Sequence, residues 1–112
     1  MKAILISFFL GPFSLHAWAA DVENGKKLFT TRGCVACHSL GSGAASKAGP
    51  DLAGVTKIRK SFWLKRWIKN PDSMRNDPII KKLAAQYSLP MPPAGLSDQE
   101  VEDIVAYLDT NP

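Results

Sequence analysis

Two cysteines and a histidine stand together at residues 34–38, in the run Cys-Val-Ala-Cys-His. This C-x-x-C-H spacing is the attachment signature of c-type haem, because two thiols separated by two residues reach the two vinyl groups of one porphyrin. The adjacent histidine then lies under the iron and donates a ring nitrogen to it. The run therefore predicts that Cys34 and Cys37 hold one covalent haem c, that His38 is an axial ligand, and that the chain folds around this group.

The same run has other interpretations, which the rest of the sequence disfavours. A thiol–disulfide motif requires a βαβ setting, and the sequence contains no strand pattern. A zinc site would need a fourth ligand beside Cys34, Cys37 and His38, and none is evident. Two cysteines in an exported protein usually suggest a disulfide, but the histidine that follows them favours attachment of a cofactor.

Residues 1–19 have the features of a secretory signal peptide. Lys2 supplies the positive start, residues 3–15 form a short apolar core, and Ala17 and Ala19 fill the two small-residue positions before the cleavage site. We expect cleavage after Ala19 or, as the second choice, one residue later.

An uncleaved membrane anchor is the alternative for this segment. A spanning helix needs about 20 apolar residues, whereas Gly11-Pro12 interrupts a shorter stretch. We therefore expect export to the periplasm, removal of the signal, and a mature domain at residues 20–112 without stable membrane insertion. A domain of this size has a thin core, to which a buried haem would add apolar area.

Apolar residues recur at helical spacing in four segments, and strand alternation is absent, which predicts an all-α domain. The segments run from about Asp21 to Arg32, from Ser61 to Asn70, from Asp77 to about Tyr87, and from Ser97 to about Leu108. Ser61 is a plausible N-cap, Asp77 precedes a proline suited to the first helical position, and Ser97 with Glu100 forms a capping box. A glycine-rich loop at residues 41–46 follows the cysteine run.

The candidates for the second axial ligand are few in this sequence. His16 leaves with the signal peptide, so the mature chain has no second histidine and cannot form a bis-histidine site alone. Met74 lies among charged residues and is expected at a surface turn. Met91 lies between Pro90 and Pro92, in a stiff segment that cannot be helical. We therefore predict Met91 as the sixth ligand, since a thioether opposite histidine raises the reduction potential and closes the iron to small ligands.

Basic and acidic residues are segregated along the chain, whose formal net charge is +4. Six bases and no acid lie between residues 52 and 71, and five acids and no base lie between residues 98 and 109. This pattern predicts a charge dipole that steers docking with a partner carrying an acidic patch. Solvated helix faces explain the same charges equally well, and an exported chain with helical spacing in its basic run is an unlikely nucleic-acid binder.

Together these motifs resemble those of class I monohaem cytochromes c, over nearly all of residues 20–112. In the family's order they are Gly25-x-x-Leu28-Phe29 and the cysteine run, then Gly49-Pro50-Asp51-Leu52, then Pro90-Met91-Pro92 and a last helix that ends Val105-Ala106-Tyr107-Leu108. The resemblance implies a cytochrome c fold, in which about four helices wrap one covalently attached haem and the N- and C-terminal helices cross.

The resemblance also implies roles for single residues near the crossing and the proximal ligand. Gly25 would permit the close approach of the first and last helices, and Phe29 would pack near Tyr107. The carbonyl of Pro50 would accept the other ring N–H of His38 and so fix the tautomer of the ligand.

Other implied roles concern the haem pocket. Leu52 and Leu64 would line it. Trp67 would pack near the haem and bond a propionate through its indole N–H, although an ordinary core tryptophan is an equal alternative. Arg59 or Lys60 would offset the propionate charge.

These expectations point to a monomeric electron carrier rather than an enzyme, which exchanges single electrons with redox partner proteins. A dedicated haem c subunit of a periplasmic oxidoreductase is the alternative, which the sequence separates poorly from a free carrier. A gas sensor with five-coordinate iron is disfavoured by Met91 in its proline frame.

Overall fold

The computed structural model describes residues 6–9, 11–12, 19–42, 48–88 and 90–112. Several predicted features lie outside these residues in whole or in part: Lys2, part of the apolar core at 3–15, His16 and Ala17 of the signal segment, most of the glycine-rich loop at 41–46, and Leu89 before the proline segment.

Helices make up the regular structure of the described ranges, which contain no strand, so the predicted all-α class is confirmed. The α-helices are α1 (Val22–Thr31), α2 (Val55–Ile58), α3 (Ser61–Lys69), α4 (Pro78–Ala84) and α5 (Asp98–Asp109). Two 3-10 turns, Cys34–Ala36 and Pro71–Met74, complete the order. Every helix in the described part is too short or too polar to cross a membrane.

Side-chain caps begin two of the predicted helices as expected. The Asp77 carboxylate accepts from the backbone of Ile79 and Ile80 at the start of α4. Ser97 and Glu100 bond each other's backbone N–H at the start of α5, which completes the predicted capping box. The N-cap predicted at Ser61 is wrong, because Ser61 is already the first helical residue and the cap position carries no side-chain hydrogen bond.

Two further differences from the sequence expectation have local causes. Helix α4 ends at Ala84 rather than near Tyr87, because the chain tightens into a bond from Gln86 N–H to the Leu83 carbonyl. Helix α2 is too short to show periodicity. It begins at Gly54, whose φ of +73° suits glycine, and whose N–H donates to the Asn111 carbonyl at 2.8 Å.

The first and last helices cross in close contact, as predicted. A Cβ built on Gly25 would lie 1.9 Å from the backbone oxygen of Asp103, so only glycine fits there. The rings of Phe29 and Tyr107 meet edge to face with centroids 5.8 Å apart. The crossing therefore depends on a missing side chain at one point and an aromatic pair at another.

A buried carboxylate also joins α5 to the start of α1. Asp103 on α5 is 3% exposed, and its oxygens accept from the backbone N–H of Asp21 at 2.8 Å and the amide of Asn24 at 2.8 Å. The amide of Gln99 donates to it at 2.9 Å. Although burial raises the pKa of Asp103, these three hydrogen bonds outweigh that effect and lower the pKa below its ordinary value.

The apolar core lies between α1, α3 and α5. Its buried members are Leu28, Phe29, Leu64, Ile68, Leu96, Val101, Ile104, Val105 and Leu108. Cys34, Leu52 and Trp63 pack against this core from the outside, so the cysteine run is attached to the rigid part of the domain.

Met74 belongs to the interior, and the surface position predicted for it is wrong. It ends the 3-10 turn Pro71–Met74 and is 3% exposed. Residues three apart eclipse each other in such a turn, so Pro71 and Met74 are buried together on one side. The charged residues Asp72 and Arg75 pair with each other at 2.7 Å instead.

Candidate haem site

A 3-10 turn brings the two cysteines and the histidine together. It starts after Gly33, whose φ of +80° lets the chain leave α1 in a left-handed turn. The carbonyl of Cys34 then accepts from the backbone N–H of Cys37 at 3.2 Å and of His38 at 2.9 Å. All three side chains of the motif therefore leave a single turn of backbone.

The His38 ring is held in one tautomer. Its Nδ1 lies 2.8 Å from the carbonyl oxygen of Pro50. Because a carbonyl only accepts, Nδ1 carries the proton and Nε2 keeps its lone pair for a metal ion. The residue pair implied by the family resemblance is thus found at hydrogen-bond distance.

The His38 ring also lies close to Gly49. A Cβ on Gly49 would be 2.6 Å from Cε1 and 2.9 Å from Nδ1 of the ring. Glycine is required here by close approach, since a larger residue would displace the ring. The ring is therefore fixed by a hydrogen bond at one edge and by the absence of a side chain beside it.

Two polar residues close the loop that carries Pro50. Buried Ser39 donates from its hydroxyl to Asp51 Oδ2 at 2.8 Å, and the same carboxylate accepts from the N–H of Gly41 and Ala53. Backbone bonds from Gly49 N–H to the Cys37 carbonyl and from Leu52 N–H to the Ser39 carbonyl continue the closure. Sequence reasoning missed Ser39, because a lone serine after the cysteine run gives no signal, although Asp51 belongs to the Gly-Pro-Asp-Leu motif at 49–52.

Cys34 does not have the environment of a redox-active thiol. It is half-buried, and desolvation raises its pKa. A backbone hydrogen bond acts in the other direction, and the nearby Cys37 sulfur adds a smaller rise. Reactive cysteines have lowered pKa values. Together with the absence of strands in the described ranges, this disfavours the thiol–disulfide interpretation.

Basic side chains hold both ends of residues 90–96, the Met91 segment. Arg75 Nη2 donates to the Met91 carbonyl at 3.0 Å. Lys69 Nζ donates to the Leu96 carbonyl at 2.7 Å and pairs with Asp98 at 3.2 Å. Met91 is half-buried, and Leu96 is part of the core, so the segment is attached to the helical frame.

Two tryptophans of α3 stack on each other, and each ring also contacts an arginine. The rings of Trp63 and Trp67 lie 6.5 Å apart at an angle of 18°. Arg59 lies over Trp63 and Arg75 over Trp67, each with Cζ 5.8 Å from a ring centroid. Arg59, a candidate partner for a haem propionate, therefore has an aromatic partner as well.

The indole groups of this stack differ in their hydrogen bonding. Trp63 Nε1 donates to Asp77 Oδ2 at 3.1 Å, and this bond is the main cause of a lowered pKa at Asp77. Within the described residues, Trp67 Nε1 has no acceptor, so its N–H is available to a ligand.

The predicted pocket residues Leu52 and Leu64 differ in burial. Leu64 is buried in the core on α3, whereas Leu52 is half-buried and packs on the core from the loop after Pro50. Leu52 therefore lies two residues beyond the carbonyl that fixes His38, on the same short segment.

The acidic and basic helices are neighbours rather than opposite poles. Lys65 on α3 pairs with Glu102 on α5 at 2.7 Å, and Lys69 pairs with Asp98. The charge dipole predicted from the sequence is reduced by these pairs. Exposed basic residues remain at Lys57, Lys60 and Arg66.

The residues present fit a haem attached through the C-x-x-C-H motif. The thiols and the imidazole leave one turn, the imidazole lone pair is freed by the bond from Nδ1, and Gly49 leaves room for the ring. Free cysteines at both attachment positions complete the required donor set.

Comparison with known proteins agrees with this chemistry. Residues 22–112 match the family model for cytochrome c. The chain is 31% identical to cytochrome c6 of Pyropia yezoensis, over 93% of this chain and 84% of the relative. It is 27% identical to cytochrome c2 of Blastochloris viridis, over 96% and 91% of the two chains.

Solved structures show the same relationship. A cytochrome c from Rhodothermus marinus superposes with a TM-score of 0.72 at 29% identity, over 89% of this chain and 88% of that one. A cytochrome c domain from Pseudomonas putida gives a TM-score of 0.64 at 40% identity, over 77% and 85%. The chain therefore belongs to the cytochrome c family of haem-containing electron carriers, and its cofactor is a covalently bound haem c.

Proposed function

We propose that this protein is a one-electron carrier of the periplasm, in which His38 and Met91 fill the two axial positions of a haem held by Cys34 and Cys37. The observation that supports it best is the bond between His38 Nδ1 and the Pro50 carbonyl, which leaves Nε2 ready to bind iron. Export would follow removal of residues 1–19.

The haem supplies the redox couple, and the side chains set its environment. His38, held by Pro50 and Gly49, would keep one face of the iron occupied without rotating. Met91 would occupy the other face, and a thioether there favours the reduced state. An iron with both faces occupied suits electron exchange rather than binding of a substrate.

Pocket side chains would exclude water and hold the haem edge. Leu52 and Leu64 extend from the core to provide apolar contact. The indole N–H of Trp67 would donate to a propionate, consistent with its lack of an acceptor within the described residues.

The corner between α2 and α3 is the surface best suited to a redox partner. Lys57, Lys60 and Arg66 are exposed there, beside Ile58 and Phe62, which are 68% and 60% exposed. In α3, Phe62 lies opposite the buried Leu64, so packing within the domain does not cover it. A partner with an acidic rim and an apolar centre would match this surface.

The same apolar pair supports the alternative, a dedicated subunit of an oxidoreductase. A transient redox encounter needs only a small interface, whereas a permanent one covers more apolar surface. Gel filtration of the protein isolated from its native host would separate the two, since a subunit stays with a larger chain at low concentration.

Methionine coordination is tested with two matched variants, Met91→Leu and Met74→Leu. Leucine conserves volume, so Met74→Leu in the core should lose less than about 1.5 kcal/mol of stability, and Met91→Leu removes the sulfur without opening a cavity. We expect oxidised holoprotein to lose the weak far-red absorption band of methionine–iron coordination in Met91→Leu and to keep it in Met74→Leu. Reduced wild type should not bind carbon monoxide, whereas Met91→Leu should.

The opposite pattern, with the band lost only in Met74→Leu, would disprove the assignment of Met91. Rapid carbon monoxide binding by the wild type would support the sensor interpretation instead.

A further inference from the structure

Arg75 contacts the tryptophan stack and also hydrogen-bonds to the Met91 segment. Its guanidinium lies over Trp67, pairs with Asp72 at 2.7 Å and donates to the Met91 carbonyl at 3.0 Å. Nη2 donates both hydrogen bonds, and the ring contact restrains the guanidinium as well. The hydrogen bond to Met91 is therefore made by a side chain that is itself held in place.

The Met91 segment has few other ways to be held. Pro90, Pro92 and Pro93 have no N–H, so the backbone around Met91 offers mainly carbonyl groups to the rest of the domain. Two of these carbonyls are bound, that of Met91 by Arg75 and that of Leu96 by Lys69. Only the first contact lies at the methionine itself.

We propose that Arg75 is a positioning residue that keeps Met91 on the iron; this rests on the proposed role of Met91 as ligand. The prolines make the segment stiff, but stiffness alone does not fix its distance from the haem. The bond from Arg75 to the Met91 carbonyl supplies that anchor. Loss of the anchor raises the fraction of molecules in which the thioether has left the iron.

Arg59 provides an internal control for this proposal. It stacks on Trp63 with the same 5.8 Å distance that separates Arg75 from Trp67. Its guanidinium donates to the neighbouring Ile58 carbonyl at 3.4 Å and not to the Met91 segment. Replacement of either arginine thus removes one cation from the stack, but only one replacement releases Met91.

The experiment measures imidazole binding to oxidised holoprotein, because imidazole binds the iron only when Met91 has left. Apparent affinity then follows the open fraction. A hydrogen bond from a charged donor stabilises the methionine-bound state substantially. Arg75→Met should therefore bind imidazole at least about tenfold more tightly than wild type. Arg59→Met should raise the affinity less than Arg75→Met does, and Asp72→Asn, which keeps the bond to Met91, should stay within about twofold of wild type.

Arg75→Lys gives a second readout and a variant that preserves charge. Lysine can donate to the Met91 carbonyl, so its imidazole affinity should lie between those of wild type and Arg75→Met. The reduction potential should fall in the same order, because the reduced state depends on the thioether. A purely structural role would change stability without this ordered change in potential.

Several outcomes would overturn the proposal. Equal imidazole affinity for Arg75→Met, Arg75→Lys and wild type would show that the bond does not restrain Met91. An equal rise in Arg59→Met would assign the effect to the aromatic stack. Failure of the ligand assignment is distinguishable, since Met91→Leu would then bind imidazole no better than wild type.

Discussion

The buried carboxylate of Asp103 joins α5 to the start of α1, and the effect of its replacement can be predicted in detail. It is 3% exposed and accepts from Asp21, Asn24 and Gln99 at 2.8, 2.8 and 2.9 Å. A hydrogen bond to a charged group contributes about 1.5–3 kcal/mol. Partial water access and non-additivity reduce the sum, so Asp103→Ala should lower the free energy of unfolding by about 2–4 kcal/mol.

Asp103→Asn isolates the charge. The amide keeps one acceptor oxygen but turns an N–H₂ group toward a donor, so its cost should be about 1–2 kcal/mol at neutral pH. Asp98→Asn is the matched control, because the Asp98 side chain is 93% exposed and pairs only on the surface. It should change stability by about 0.5 kcal/mol or less.

The pH dependence gives the sharper test. The pKa of Asp103 is lower in the folded state than its ordinary value. Its stabilisation is therefore fully present above the ordinary carboxylate pKa, about 3.9, and is lost as the pH falls through the lower folded value. The difference in stability between wild type and Asp103→Asn should shrink over that range, since other carboxylates titrate equally in both proteins.

Urea unfolding of the holoprotein, followed by far-ultraviolet circular dichroism at several pH values, measures these differences. A loss in Asp103→Ala no larger than that in Asp98→Asn would refute the reasoning. So would a difference between wild type and Asp103→Asn that stays constant from neutral pH to below about 3.

Two further predictions concern the ligand ring and the docking surface. Gly49→Ala would place a Cβ 2.6 Å from the His38 ring, so it should lower the yield of haem-loaded protein, measured by absorbance, about tenfold. The control Ser42→Ala, at an exposed position, should not lower this yield. Equal yields for the two variants would contradict the close approach. Arg66→Glu should slow electron transfer to an acidic partner on the order of a fewfold at low ionic strength, but not at high ionic strength. Lys26→Glu on α1 should slow it less. Equal slowing by the two variants would place docking elsewhere.

Local chemistry explains which elements could be predicted. The capping box at Ser97 and the Asp77-Pro78 start depend on neighbours in sequence, and both form as predicted. The pairs Gly25 with α5 and Phe29 with Tyr107 came from the family resemblance and are confirmed by the contacts. The extent of α3 could be predicted from the spacing of its apolar residues, because Leu64 and Ile68 face the core.

What could not be predicted depends on partners far along the chain. Met74 has charged neighbours in the sequence, yet the 3-10 turn directs its side chain into the interior. The reduced charge dipole follows from α3 packing beside α5, which no charge count reveals. Arg75 and Asp103 gave no signal as single residues, because their partners lie 16 and up to 82 positions away.

The contact between α1 and α5 has a consequence for the order of events as the chain is made. The bond from Asp21 to Asp103 spans 82 residues, so α1 has no surface on which to bury Leu28 and Phe29 until the last helix exists. Contacts of such long sequence separation form slowly. The cysteine run, which directly follows α1, therefore stays accessible until the whole chain has been synthesised, and this delay leaves time for a covalent cofactor to be attached before the domain closes.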